Sequence, residues 1–383
     1  MTAPGMNIAI VGAGIGGLTL AAALRRFGIA AAVYEQAAGF GHVGAGIQLT
    51  ANATKALAGF GLLPRLRAAG FAPALGYNRA WDTGEATNVL PMGKDIEDRY
   101  GAPDLSMHRA HLHAALSSLV PAEAIHHGRR LVGLDRVAGG AIRLAFADGG
   151  TVEADAVVGA DGVHSVVREA LFGPEKPHFL GKAAYRTILP TAAVKGVPVD
   201  ERVKWWGPDR HIVSYMTTPN RDHLYYIAAV PEPDFTLESW SAVGDLGQLL
   251  AAFEGFHLQA RALLAAATDV RKWALIVRDP MPSWGAGNVV LLGDACHPMP
   301  PTIAQGGGSA IEDAIVLARC LAATGRDGVA EAFARYQALR RDRTARMQVA
   351  AIENTWMRFK TDADWVYGYD AWETPLREPA PAH

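Results

Sequence analysis

Asn7-Ile8-Ala9-Ile10-Val11-Gly12-Ala13-Gly14-Ile15-Gly16-Gly17-Leu18 decides how the rest of the chain is read. The short apolar run up to Val11 predicts a buried strand. Glycines follow at 12, 14 and 17, and then an apolar stretch from Leu18 to Leu24 predicts a helix that stops at Gly28. Gly12 permits a tight turn, Gly14 lets the backbone approach a pyrophosphate, and Gly17 allows the helix to lie close on the sheet. The start of that helix faces the anion. A second strand, Ala31 to Tyr34, ends in Glu35, whose carboxylate accepts hydrogen bonds from ribose hydroxyls and repels a 2′-phosphate. Glycine-rich turns also arise from packing alone, but the strand before, the helix after and the acid beyond point to a dinucleotide. Whether it is FAD or NAD stays open at this point.

Length and composition set the frame. A chain of 383 residues exceeds one small core and predicts two domains. With 50% hydrophobic and 19% charged residues, burial can offset ordering entropy along most of the length, so the chain is globular. The formal net charge is −2 and no Lys/Arg-rich run is present, which excludes a nucleic-acid partner. Two cysteines, Cys296 and Cys320, offer neither a disulfide framework nor a metal-ligand spacing, and they suit a reducing cytoplasm. The first apolar run is broken at once by glycines, so neither a signal peptide nor a membrane span is expected. The Pro/Ala-rich end after Pro375 is expected to fray.

Two further stretches repeat the strand-and-glycine design. Ala156-Val157-Val158-Gly159-Ala160-Asp161-Gly162 is a buried strand running into an acid and a glycine. Asn288-Val289-Val290-Leu291-Leu292-Gly293-Asp294 is another, followed by Pro300-Pro301-Thr302-Ile303-Ala304-Gln305-Gly306-Gly307-Gly308 and an Ala-rich helix. An acid at a strand end beside a glycine run suits polyol hydroxyls and close backbone approach to a flat ring.

With Met107-His108-Arg109-Ala110-His111-Leu112 between them, these motifs resemble in kind and order the single-component flavoprotein aromatic hydroxylases, the group of the 6-hydroxynicotinate, salicylate and 3-hydroxybenzoate enzymes. The match runs from about residue 7 to about residue 370. The resemblance implies an α/β fold: a Rossmann-like FAD-binding domain (residues 1–72, 105–177 and 276–383) with an inserted, mainly β substrate domain (73–104 and 178–275). It implies that Gly12, Gly14 and Gly17 cradle the FAD pyrophosphate and that Glu35 holds the adenosine ribose. Arg109 would meet the pyrophosphate or ribityl chain. Asp161 would serve FAD and nicotinamide-nucleotide docking, with Arg168 either sharing that task or standing as an ordinary helix charge. Asp294 would bind the ribityl hydroxyls, and the backbone of Gln305, Gly306 and Gly307 would lie along the flavin pyrimidine edge. No second complete glycine motif appears, in line with a family in which NADH or NADPH visits transiently.

In the inserted region lies Val203-Lys204-Trp205-Trp206-Gly207-Pro208-Asp209-Arg210-His211-Ile212-Val213-Ser214-Tyr215. If its end is a strand, His211 and Tyr215 share a face, either in a core with two satisfied polar groups or on the wall of a pocket. The flanking VKWW and DRH, with Asn354-Thr355-Trp356 and Trp365-Val366-Tyr367-Gly368-Tyr369-Asp370, resemble the 6-hydroxynicotinate members, in which a histidine and a tyrosine at this spacing face the substrate. His211 would then take a ring-hydroxyl proton near neutral pH, and Tyr215 would orient the substrate. An electron-rich ring is what an electrophilic oxygen donor requires, and attack at a carboxylate-bearing carbon would expel carbon dioxide.

The chain departs from those members at Gln48 and Thr302, where they carry histidine, and at Arg202, where they carry a small residue. Gln48 and Thr302 can donate hydrogen bonds to substrate but cannot act as acid or base. Arg202 either holds a carboxylate or is solvated beside its turn. Cys296-His297 is expected to be neither a nucleophile nor a metal pair. The arginines of the helix from about Val329 to Ala351 are expected on a solvated face. The expected activity is therefore an FAD- and NAD(P)H-dependent monooxygenase, monomeric or homodimeric, that acts with O2 on a small hydroxylated aromatic carboxylate. Hydroxylation without loss of carbon dioxide is the alternative, and a flavin-binding regulatory protein is the alternative of another class.

Overall fold

Ile8–Val11 is the strand on which the nucleotide half is organised, in a computed structural model that describes residues 6–41, 45–235, 242–354 and 362–377. Thr355, Trp356 and the end of the tail lie outside the described residues. By packing, the chain divides into two units, one of Met1–Gly41, His113–Lys176 and Arg278–His383, the other of His42–Leu112 and Pro177–Val277. Residues 45–72 and 105–112, expected with the nucleotide fold, pack with the second unit.

In the first unit a six-stranded sheet runs in the order Gly285–Ala286, Val289–Leu291, Ala156–Gly159, Ile8–Val11, Ala31–Tyr34, Ile125–His126. All neighbours are parallel except the first pair. The chain leaves Ile8–Val11 toward Ala31–Tyr34 on one side and later fills the other side with Ala156–Gly159, so the strand order reverses at this central strand. In open parallel sheets such a reversal opens a crevice at the carboxyl ends of the strands. The helix Ile15–Arg26 is buried from Ile15 to Leu24. It packs against the long helix Gly306–Thr324, and a Cβ on Gly16 would stand 2.5 Å from Leu292 Cδ2 and 3.3 Å from Ala310 Cβ, which shows how tightly these layers approach.

The arginine-rich helix spans Val329–Glu353, and its expected solvated face is corrected at two positions. Arg340 is fully buried, with Nε 2.7 Å from Asp313 Oδ1 and Nη2 2.6 Å from Glu312 Oε2. Arg343 donates to the same Glu312 at 2.9 Å. Acids from a neighbouring helix supply the partners, and the charge pattern of one helix cannot reveal them.

In the second unit, strands from both inserted stretches build one seven-stranded sheet. Its order is Arg271–Val277, His178–Pro190, His223–Pro231, His211–Met216, Arg202–Trp206, Leu75–Ala80, Ala86–Pro91. Only the contact between Arg202–Trp206 and Leu75–Ala80 is parallel. One face carries Val203, Trp205, Ile212, Met216, Leu224 and Tyr226, which bury against Leu249 and Leu263 of the helices Leu246–Ala252 and Leu258–Ala265 and against Phe253 and Phe256 between them. Alternation then turns Arg202, Lys204, Trp206, His211, Val213, Tyr215 and Tyr225 to the opposite face. A small ladder, Gly46–Leu49 with Leu105–His108, belongs to the same unit.

Candidate active site

Three parallel strands of the first unit run out at one edge into Gly12, Ala160-Asp161 and Leu292-Gly293. The backbone welds these ends together: Gly12 N donates to Tyr34 O, Ala160 N to Val11 O, and Leu292 N to Gly159 O, at 2.8–2.9 Å. Gly12 sits at φ +101°, and a Cβ there would stand 2.4 Å from Ala160 O. A Cβ on Gly17 would stand 2.0 Å from Gly12 O. The protein itself demands those two glycines. A Cβ on Gly14 would meet nothing within 4 Å, so the chain leaves the room beside Gly14 open. The helix that begins there has neither an acid in its first turn nor a side-chain cap. Glu35 Oε2 accepts from Ala13 N at 2.9 Å, which fixes its carboxylate against the turn.

Asp294 is exposed between buried neighbours, and its Oδ1 lies 3.9 Å from where a Cβ on Gly306 would stand. Gln305 is fully buried, and its carbonyl accepts from Ser309 N at 2.7 Å. Gly306 and Gly307 therefore open the helix Gly306–Thr324, again without an acid in the first turn. An open cradle at Gly14, bare helix starts and carboxylates at two strand ends suit a diphosphate flanked by polyols. The residues present fit FAD.

Asp161 spends its carboxylate locally. Ser165 Oγ donates to Oδ1 at 2.6 Å and Val167 N to Oδ2 at 3.2 Å, while burial raises its pKa against those bonds. Arg168 is buried, not a surface charge, and donates to Ala295 O at 2.9 Å and Val163 O at 2.7 Å. His297, which sequence reasoning left idle, has Nε2 2.5 Å from Asp313 Oδ2, and both residues are fully buried. Burial alone would raise the Asp313 pKa, but His297 and Arg340 outweigh it and hold the carboxyl below its ordinary value. Cys296 is buried, its thiol pKa is pushed well up, and Cys320 is buried too.

On the face of the second unit's sheet opposite its helices, register places His211 opposite Trp206 and Tyr215 opposite Arg202. The His211 ring stacks on Trp206 at 4.7 Å and 29°. Tyr215 packs against Tyr225 at 5.1 Å, and a Cβ on Gly46 would come within 2.8 Å of its hydroxyl. Burial holds the Tyr215 phenol well above its ordinary pKa and Tyr225 adds to this, while Arg202 and Arg186 oppose it. Burial pushes Tyr225 up to about 12 although Arg186 opposes it and hydrogen-bonds to it. Both phenols are neutral hydroxyls.

Arg202 points inward. Its Nη1 lies 3.2 Å from Asp104 Oδ2, and its Nη2 donates to Gln48 Oε1 at 3.1 Å. The Gln48 carbonyl is thereby taken, whereas its buried Nε2 has no hydrogen-bond partner among the described residues. Arg109 is exposed at the start of the helix Arg109–Ser117, and its N–H donates to Ala45 O at 2.8 Å. Thr302 belongs to the first unit, where its hydroxyl donates to Ala351 O at 2.7 Å.

The structure thus brings His211, Tyr215, Gln48 and Arg109 into one unit, and Gly12, Gly14, Gly17, Glu35, Asp161, Asp294, Gln305, Gly306, Gly307 and Thr302 into the other, so Arg109, expected with the cofactor residues, packs apart from them. Sequence reasoning missed Lys204, Asp104, Arg186 and Tyr225. For Lys204 a signal existed, since it shares strand parity with Arg202 inside the quoted stretch; Arg186 and Tyr225 are brought in by register with distant strands, and Asp104 by its contact with Arg202.

Residues 5–351 match the FAD binding domain family, and the chain belongs to it. Over 97% of both chains it is 42% identical to 6-hydroxynicotinate 3-monooxygenase from Pseudomonas fluorescens, and it is 41% identical to the enzyme of that name from Bordetella bronchiseptica over the same share. The crystal structure of Klebsiella pneumoniae HpxO complexed with FAD and uric acid superposes with a TM-score of 0.81 at 25% identity, covering 94% of this chain and 90% of that one. The protein is an FAD-dependent, NAD(P)H-consuming flavoprotein monooxygenase of the aromatic hydroxylase type.

Proposed function

We propose that the enzyme hydroxylates a ring carrying both a hydroxyl and a carboxylate, 6-hydroxynicotinate or a close analogue, at the carbon that bears the carboxylate. The placement of His211 and Tyr215 on one sheet face carries this reading, and the identity to the 6-hydroxynicotinate enzymes supports it. The balance is one ring carboxylate, one O2, one NAD(P)H and two protons giving one ring hydroxyl, carbon dioxide, NAD(P)+ and water. Bound FAD would supply the redox chemistry, accepting hydride and handing an electrophilic oxygen atom to the ring.

In this reading Gly14 and the start of its helix hold the pyrophosphate, while Glu35 and Asp294 accept from the sugar and ribityl hydroxyls. Gly306 and Gly307 present backbone N–H groups to the pyrimidine edge. Asp161, occupied by Ser165 and Val167, shapes the loop at the nucleotide edge. On the substrate side His211, held in orientation by Trp206, takes the ring-hydroxyl proton and so raises electron density at the carbon to be attacked. Tyr215, a neutral donor, orients the ring oxygen. When the new C–O bond forms, the attacked carbon becomes tetrahedral, the bond to the carboxylate breaks, and the ring regains aromaticity as carbon dioxide leaves. NADH or NADPH would visit transiently. Among the described residues no helix is long and apolar enough to cross a membrane, and we place the enzyme in the cytoplasm.

His211→Ala tests the assignment. Product formation at neutral pH should fall by about 10²–10⁴-fold, the usual worth of a positioned base, while flavin absorbance is unchanged. Should the variant hydroxylate as fast as the parent enzyme, His211 is not the base.

A further inference from the structure

Lys204 stands at the centre of the Arg202–Trp206 strand, on the same face as Arg202 and Trp206. In register it faces Val213, midway between His211 and Tyr215, and on its other side Asn78 of Leu75–Ala80. Diagonal neighbours on adjacent strands lie within reach of a long side chain. Lys204 is largely buried and makes no hydrogen bond or ion pair among the described residues. The acid of this face, Asp104, is engaged by Arg202, so a second cation stands beside the first with nothing to neutralise it. Asn78 offers only an amide oxygen, which neutralises no charge. Gln48 Nε2, on the partner of Arg202, is a second buried donor without an acceptor. Buried cations and donors are normally satisfied, and those that are not call for an explanation.

We propose that the Lys204 ammonium, with Gln48 Nε2 on the hydrogen-bond partner of its neighbour Arg202 as a second donor, receives the carboxylate of the aromatic substrate. This deepens the proposed function and rests on it. Lys204 is then a binding and positioning residue. Anchoring the carboxylate between His211 and Tyr215 turns the carbon to which it is attached toward one fixed place, and it favours carboxylated rings over plain phenols and pyridinols. Burial, with Arg202 beside it, pulls the Lys204 pKa down to about 7, so the receptor is charged on the acid side of neutrality and weakens on the alkaline side. The titratable or charged groups on this face are Arg202 on the same strand as Lys204, Asp104 paired with Arg202, and His211 and Tyr215 on the next strand; the strand Leu75–Ala80 brings none.

The test uses flavin-loaded enzyme and perturbation of the flavin spectrum by two pairs of ligands, 6-hydroxynicotinate with 2-hydroxypyridine and salicylate with phenol. For the parent enzyme the preferred carboxylated probe should bind at least about tenfold more tightly than its carboxylate-free counterpart. That advantage should decline as pH rises above neutrality. Lys204→Met should abolish it with little change toward the carboxylate-free ligand. Lys204→Arg, whose charge does not titrate, should restore it and flatten its decline above neutrality. The inference is overturned if Lys204→Met keeps the advantage while the parent shows it, and the proposed function then still stands. If the parent enzyme prefers no carboxylated ring, both fall.

Discussion

Gly14 and Gly17 look alike in the motif yet answer to different constraints. Gly17 is required by the fold, because a Cβ there would stand 2.0 Å from the carbonyl of Gly12. Gly17→Ala should destabilise the protein by about 1–3 kcal/mol or more, read as a fall in Tm of the cofactor-free protein. Gly14 has no such neighbour. Gly14→Val should fold with little loss of stability but bind FAD far more weakly, visible as colourless protein after gel filtration. Full flavin occupancy in that variant would show that the space beside Gly14 serves another purpose. Lys204 makes the converse case, a residue whose charge costs stability. Its folded pKa of about 7 lies below the ordinary lysine value, so between those pH values the unfolded chain binds more protons and stability climbs with pH. Below that window the cost is fully present. Lys204→Met should therefore raise the Tm of cofactor-free protein most at about pH 6.5 and progressively less toward about pH 10. An equal gain at both ends would contradict the buried charge.

The elements of the nucleotide half were legible in the chain because each is local. Ile8–Val11, the helix after it and Ala31–Tyr34 follow from apolar runs cut by glycine, and the acids at their ends are read from position alone. Parity within one strand was legible too, and it placed His211 with Tyr215. What was not legible depends on pairing between distant segments. Tyr225 reaches Tyr215 through the register of separate strands, and Asp104 and Gln48 reach Arg202 across 98 and 154 residues of chain. The Asp313 network was hidden for the same reason, since a buried arginine and a solvated one look identical in a helix sequence. Asp313 has a depressed pKa in the folded state. Its contribution to stability is thus present above the ordinary carboxylate range and is lost only as pH falls below about 4. Asp313→Asn, which leaves Arg340 and His297 short of a charge, should cost about 3–5 kcal/mol at neutral pH by denaturant titration. A negligible change would mean that the network is redundant with Glu312.

At the scale of the whole molecule, each packing unit carries one half of the chemistry. The first presents strand ends and bare helix starts fit for FAD, and the second presents a sheet face with a histidine, neutral phenols and more cations than acids. Family membership and identity along nearly the whole chain make it a flavoprotein monooxygenase, and the sheet face argues for a carboxylated ring as its substrate. The most direct measurement supplies flavin-loaded enzyme with NADH, O2 and 6-hydroxynicotinate labelled with ¹³C in the carboxylate, and counts labelled carbon dioxide against hydroxylated ring. One carbon dioxide for each ring hydroxylated is the predicted result. A hydroxylated product that keeps its labelled carboxylate, or NADH consumed with no ring product at all, would contradict it.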